Sequence, residues 1–164
     1  MFQSGMGFLC SSQTAADVAR GVSRMLIQQG FSPILEFTLA NGRRLDVAAL
    51  GADGTLLGAE IKVALADLKG DMKWPEYLEF CEHFYFAIPP DFPDEHVPPN
   101  TGLIVADRYG GAIVRPAVPA PVHASRRKAV TLRFAKVAAE RLSVLLDLAG
   151  TTQLTVPEDA DYQG

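Results

Sequence analysis

From Val18 to Gln29 the positions Val18, Val22, Met25, Leu26 and Gln29 recur every three to four residues, the period of one helix face. Thr14, three residues ahead of Asp17, forms a capping-box signature, and Gly30 can stop the helix. Pro33 to Ala40 is short, apolar and strand-like, interrupted by Glu36, and Asn41-Gly42 supplies a tight turn. Arg43 to Lys62 then alternates apolar and polar residues on both sides of Gly51-Ala-Asp-Gly54, which predicts a β-hairpin. Folding it about Asp53 places Asp46 and Glu60 seven residues either side of the turn, directly opposed and on one face. Lys62, two residues beyond Glu60, shares that face, while Leu45, Val47, Ala59, Ile61 and Val63 are expected on the other.

Beyond Lys62 the pattern predicts a short helical or looped passage over 63–68. A helix starts near Trp74, with Pro75 in its first turn and Trp74, Tyr77, Leu78 and Cys81 as its apolar side. Phe84 to Ile88 reads as a buried strand, so hairpin, helix and strand form a crossover against a mixed α/β sheet. Five prolines between Pro89 and Asn100 mark an ordered surface loop. Leu103–Ala106 and Ala112–Arg115 make a second hairpin around Tyr109-Gly110-Gly111. A last helix runs from about Ser125 to Leu148, with Val130, Phe134, Val137 and Leu145 as its core stripe. Residues 1–12 are expected to be a flexible leader, 13–150 a single domain and 151–164 a flexible acidic tail.

Composition narrows the functional classes. A chain of 164 residues, 48% hydrophobic and 21% charged, has the size and makeup of one soluble globular domain. Its net charge of −4 argues against bulk electrostatic coating of nucleic acid or membrane, while leaving room for a local basic groove. Cys10 and Cys81 stand alone, and His83, His96 and His123 lack ligand spacing, so zinc chemistry has no motif support and a reduced cytoplasmic setting is expected. No apolar run approaches the ~18 residues that span a bilayer. Glycine-rich phosphate loops, dinucleotide fingerprints and nucleophile elbows are also missing from the sequence.

The hairpin face carries the chemistry. Two carboxylates gathered on one side suit a hard cation such as Mg²⁺ or Mn²⁺, which prefers oxygen ligands and keeps water positions open. Asp46, Glu60 and the Ile61 carbonyl are the expected metal ligands, for metal-assisted phosphodiester hydrolysis in which Lys62 orients the water or stabilises developing charge. Strands also carry solvated alternating polar residues, and a Glu-x-Lys triplet alone is common. Glu36 either faces solvent or joins the Asp46 face. Arg43 and Arg44 flank Asp46 and are placed to meet a phosphate. The last helix concentrates Arg126, Arg127, Lys128, Arg133, Lys136 and Arg141 against Glu140. Of these, Arg126, Arg133 and Lys136 can share a side and would bind a nucleic-acid backbone without reading sequence; the plain alternative is that they keep an exposed helix soluble.

An Asp on one strand followed by Glu-x-Lys on the next resembles the PD-(D/E)XK nuclease superfamily, with Asp46 as the first motif acid and Glu60-Ile61-Lys62 as the second motif. More narrowly, GRRLDVAAL, AEIKVALADLKGDMKWPEYLEFCEHFYFAIP, GLIVADRYGGAIV and RKAVTLRFAK resemble the bacterial MmcB family of DNA-repair endonucleases associated with mitomycin resistance, across about residues 14–148. The resemblance implies a restriction-endonuclease-like αβββαβ core, a mixed central sheet flanked by helices, extended by a hairpin and a C-terminal helix. It implies DNA as substrate, repair proteins as further partners, and a homodimer as an assembly common in the superfamily. Lys73-Trp-Pro-Glu-Tyr77 resembles a Q/KxxxY element, which would bring Lys73 to a phosphate or the active face; otherwise Tyr77 is core and Lys73 solvated. The chain departs from the pattern in three places. Its first helix offers only Asp17 as an acid, which makes Glu36 the better substitute; Leu45 rather than proline precedes Asp46; and Val63-Ala64 follows Lys62 where small hydroxyl residues are usual. A catalytically silent DNA- or repair-protein-binding module of the same fold is the alternative, and DNA against RNA stays open from the residues alone.

Overall fold

The computed structural model describes residues 13–71 and 73–150; the expected leader and tail lie outside them. Helix α1 (Ala15–Gln28) is followed by strands β1 (Ser32–Thr38), β2 (Arg44–Leu50) and β3 (Leu56–Ile61) and the short helix α2 (Leu65–Lys69). Strands β4 (His83–Ile88), β5 (Gly102–Ala106) and β6 (Gly111–Arg115) and the helix α3 (Ala124–Ala149) complete the chain. The six strands form one sheet in the order β1-β2-β3-β4-β5-β6, antiparallel except for the parallel steps β3/β4 and β4/β5. This is a mixed α/β sheet flanked by helices, consistent with a restriction-endonuclease-like core. Compact units divide within α3, one ending at Thr131 and the other starting at Leu132.

The start of α1 is closed on both sides by its capping box. Thr14 Oγ1 accepts from the Asp17 backbone N–H at 3.1 Å, and Asp17 Oδ2 accepts from the Thr14 N–H at 3.1 Å. Val18, Ala19, Val22, Met25 and Leu26 are buried against Val47, Ala49, Leu57, Ala59, Tyr85, Ala87, Ile104 and Ala106, one face of the sheet. Gly21 lets the helix approach closely, because a Cβ there would lie 1.8 Å from the Asp107 carbonyl oxygen. Asp17 and Arg108 add a 3.4 Å ion pair between α1 and the β5–β6 turn.

The other face is aromatic. Trp74 and Tyr77 both stack on Phe84, with centroids at 5.9 and 5.5 Å, and Phe86 meets Phe84 edge-on. Here the structure corrects the expected helix near Trp74, which is only a four-residue 3₁₀ turn, Trp74–Tyr77. Its bonds close from residue i to i+3, as in Glu76 N–H to Lys73 O and Leu78 N–H to Pro75 O. Residues three apart eclipse one another in that geometry, so Trp74 and Tyr77 fall over the same ring. The α3 stripe is also shorter than expected: Val130 and Phe134 are buried, whereas Leu145 is 63% exposed.

The central hairpin keeps its expected register, with Val47 opposite Ala59, Ala48 opposite Gly58 and Ala49 opposite Leu57. The ladder with β3 ends at the Val47–Ala59 pair, so Asp46 and Glu60, expected to be directly opposed, lie just beyond its last paired step. On the β1 side the register passes from Leu35–Val47 to Phe37–Leu45 without a Glu36–Asp46 pair. Glu36 has φ 53°, in the left-handed region. Ile34 and Phe37, which strict alternation would put on opposite faces, are both buried. Leu45 shifts as well: a Cβ at Gly58 would meet its side chain at 3.0 Å and Cys81 Sγ at 3.2 Å, so Leu45 lies on the face away from α1, not with Val47 as alternation predicts. Asp46 therefore stands where β2 breaks step with β1 and reaches the end of its ladder with β3.

Candidate active site

The break in alternation turns the Asp46 carboxylate toward the end of β3, where its Oδ2 accepts the Ile61 backbone N–H at 2.8 Å. Asp46 and Ile61 line a cleft of about 200 Å³ together with Glu36, Leu35 and three alanines of α1, Ala15, Ala16 and Ala19. Glu36 thus reaches the Asp46 side, while its carboxylate pairs with Arg44 at 2.7 Å. Asp17 does not serve here, being held in the capping box and by Arg108.

Glu60 is buried and comes within 3.8 Å of Lys62 Nζ, beyond hydrogen-bond reach. Its Oε1 is buried with no hydrogen-bond partner. Burial, then the nearby Asp46 charge, raises the Glu60 carboxyl from its usual 4.5 to about 7, against the opposing pull of the Tyr77 hydroxyl and Lys62. Asp46 is also raised, chiefly by burial and further by Glu36, while the Ile61 N–H and a hydrogen bond from Glu60 hold it down. Two desolvated carboxylates of like charge share this corner and cannot both ionise freely. The Tyr77 hydroxyl donates to the Arg44 carbonyl at 3.3 Å; burial, then the neighbouring Glu60, pushes its ionisation far up, so it stays neutral.

Lys62 is held elsewhere. Its Nζ lies 2.7 Å from Asp71 Oδ2, and the side chains of both residues are only 11% exposed. Asp71, at the exit of α2, is the residue of this cluster that sequence reasoning missed. Its only signal, an Asp after Gly70, is that of an ordinary turn. Lys73 donates its backbone N–H to Asp71 Oδ1 at 3.0 Å, but its exposed side chain acts electrostatically on Glu76 rather than on the buried acids.

A divalent cation fits this donor set. Two buried carboxylates destabilise one another, Glu60 Oε1 is unpartnered, and all donors are hard oxygens. Among the described residues no group of three or more His, Cys, Asp or Glu side chains gathers as metal ligands. The acidic side chains at this corner are therefore a carboxylate pair, Asp46 and Glu60, not a closed cage of side-chain ligands.

Sequence comparison decides the family. The family described as DNA repair protein MmcB-like matches residues 8–149, which covers this cleft, the whole sheet and α3. The chain belongs to the MmcB-like DNA repair family. A solved protein of unknown function from Silicibacter pomeroyi is 39% identical, with a TM-score of 0.80 over 87% of this chain and 98% of that one. No curated protein matches.

In this MmcB-like chain the cations expected to meet DNA are engaged by acids. Arg43 forms a two-pronged pair with Glu76 at 2.8 and 2.9 Å, and Arg44 binds Glu36. Arg126 reaches Glu79 at 3.2 Å and lies over the Phe80 ring, and Arg127 pairs with the buried Glu82. Lys136 pairs with Glu140 one turn along α3, while Arg133 sits exposed on the same helix. No helix among the described residues is long and apolar enough to cross a membrane.

Proposed function

We propose that this MmcB-like protein is a Mg²⁺- or Mn²⁺-dependent DNA endonuclease of the PD-(D/E)XK type that acts in DNA repair. The observation that carries the reading is the corner formed by Asp46 and Glu60, both desolvated just beyond the last paired step of one hairpin, with a buried lysine 3.8 Å from Glu60. Membership of a DNA repair family supplies the substrate class.

Asp46, Glu60 and the Ile61 carbonyl would hold the cation. A divalent ion held there would supply polarisation of the scissile phosphate and a more acidic water. The protein's own residues do the rest. Asp46 is aimed by the Ile61 N–H, and Glu60 is kept at the corner by Tyr77. Lys62 presents a fixed ammonium to the charge that builds on the phosphate, an effect worth on the order of 10²–10³ in rate for one electrostatic contributor. Glu36 lines the same cleft and supports water on the Asp46 side. The paired surface arginines become phosphate ligands by exchanging an exposed carboxylate for a phosphate, which costs little because exposed ion pairs are weak. Repair proteins and a second copy of the chain are further partners in this reading.

Purified protein with Mn²⁺ or Mg²⁺ should cut at least one of duplex, flap, junction or crosslinked DNA. Glu60→Ala and Lys62→Ala should each lower the rate by 10²-fold or more while the circular dichroism spectrum is retained. Divalent-dependent cleavage that survives in both variants, or no cleavage of any substrate, refutes the nuclease reading.

A further inference from the structure

Lys62 has two carboxylates within reach and touches only one. Its ammonium lies 2.7 Å from Asp71 and 3.8 Å from Glu60, with all three side chains close to nine-tenths buried. A lysine on a flexible four-carbon stem would otherwise settle in full contact with the nearer carboxylate on its own strand, as desolvated ions do when no competitor is present. Asp71 is that competitor, and its position is fixed. Its Oδ1 accepts the Lys73 N–H at 3.0 Å, and its own N–H is bonded to the Leu68 carbonyl at 3.2 Å. The ammonium's approach to Glu60 stops at 3.8 Å from Oε2, and Oε1 of the same carboxylate is buried and unpartnered.

We infer that Asp71 is a positioning residue that draws the Lys62 ammonium off Glu60, so that the Glu60 carboxylate stays open to a divalent cation while Lys62 remains beside the reacting phosphate. The inference rests on the nuclease reading for its chemical consequence, but the restraint on Lys62 is a property of the folded chain itself. Without Asp71, Lys62 falls onto Glu60 and occupies the cation's place. Removing both residues reopens it. A metal ligand or a purely structural residue would not behave this way, because deleting Lys62 would not repair its loss.

The test is a calorimetric Mn²⁺ titration, with a non-cleavable phosphorothioate duplex present, of the full chain and of Asp71→Asn, Asp71→Glu, Lys62→Met and the Asp71→Asn/Lys62→Met double variant. Asp71→Asn should bind Mn²⁺ at least tenfold more weakly, within the 10–100-fold typical of residues that orient metal ligands. The double variant should return to within about threefold of Lys62→Met, and Asp71→Glu should recover part of the affinity. In cleavage assays Asp71→Asn should lower kcat with little change in KM, and adding it to Lys62→Met should cost nothing more. A double variant as weak as Asp71→Asn, or an Asp71→Asn protein that binds like the parent, overturns the inference. If the parent chain binds no Mn²⁺, the nuclease reading is what fails. The restraint is then judged by the ¹H–¹⁵Nζ signal of the Lys62 ammonium, which should exchange slowly in the parent and vanish in Asp71→Asn. Its survival there overturns the inference independently. Where Asp71→Asn fails to fold, Asp71→Glu and the double variant carry the same comparisons.

Discussion

Replacing Glu60 by glutamine should make the metal-free protein more stable, by an amount that grows as the pH rises above about 4.5 and levels off above about 7. The Glu60 carboxyl rises from 4.5 to about 7 because it is buried beside Asp46. Folding therefore favours its protonated form, and Glu60 contributes its full stability below pH 4.5, which is lost as the pH rises through about 7. At 1.36 kcal/mol for each factor of ten in proton affinity, the loss above pH 7 is about 3 kcal/mol. Glutamine resembles the protonated side chain at every pH. The difference between variant and parent should accordingly be near zero at pH 4 and approach about 3 kcal/mol in the variant's favour at pH 8, which for a chain of this size is roughly 6–12 °C in Tm. Urea unfolding in the presence of a chelator, repeated from pH 4 to 8.5, reads this directly; taking the difference cancels the other titrating groups. Excess Mn²⁺ should then close the gap by stabilising only the parent, by about 2.7 kcal/mol at a hundred times Kd. A pH-independent difference, or a parent that is more stable at pH 8 without metal, would show that Glu60 is not held at a desolvation cost.

Other consequences are simpler. Gly21→Ala places a methyl group 1.8 Å from the Asp107 carbonyl oxygen, so it should destabilise by roughly 1–3 kcal/mol or more through overpacking, measured as a lower urea midpoint. Cys81 is fully buried and its thiol is pushed up to about 12 by burial and by Glu82. Peptide mapping after treatment with a thiol reagent at pH 8 should find Cys81 unmodified in the native protein and labelled only in denaturant. Thr14→Ala removes one half of the α1 capping box and should cost about 1 kcal/mol by urea unfolding.

The hairpin was legible because alternation and a tight turn are local signals, and folding about Asp53 gives the observed opposition of residues 47 and 59. The capping box of α1 is equally local. Leu45 was misplaced because strict alternation assumes an unbroken strand, and the break at Glu36 and Asp46 depends on a backbone torsion that no residue pattern announces. Pro75 suits the first turn of either helix type, so the sequence predicts a helix near Trp74 without its kind; the short 3₁₀ turn brings both Trp74 and Tyr77 over the Phe84 ring. The charges show the same divide. Arginines and acids are countable in a sequence, but Arg43 and Glu76 meet across 33 residues and Lys62 chooses Asp71 over Glu60 only when α2 has brought it near.

Every strand in the sheet lies beside its neighbour in the chain. Each new strand can thus be added to the edge just completed, with no earlier segment displaced and no distant partner awaited. Most of the loop closures that slow β-rich folding are short here, and the acids, Tyr77 and the lysine with its restraining aspartate all come from the span between residues 36 and 77. The corner of Asp46 and Glu60 can be assembled as the chain leaves the ribosome, before the second hairpin and α3 have been synthesised.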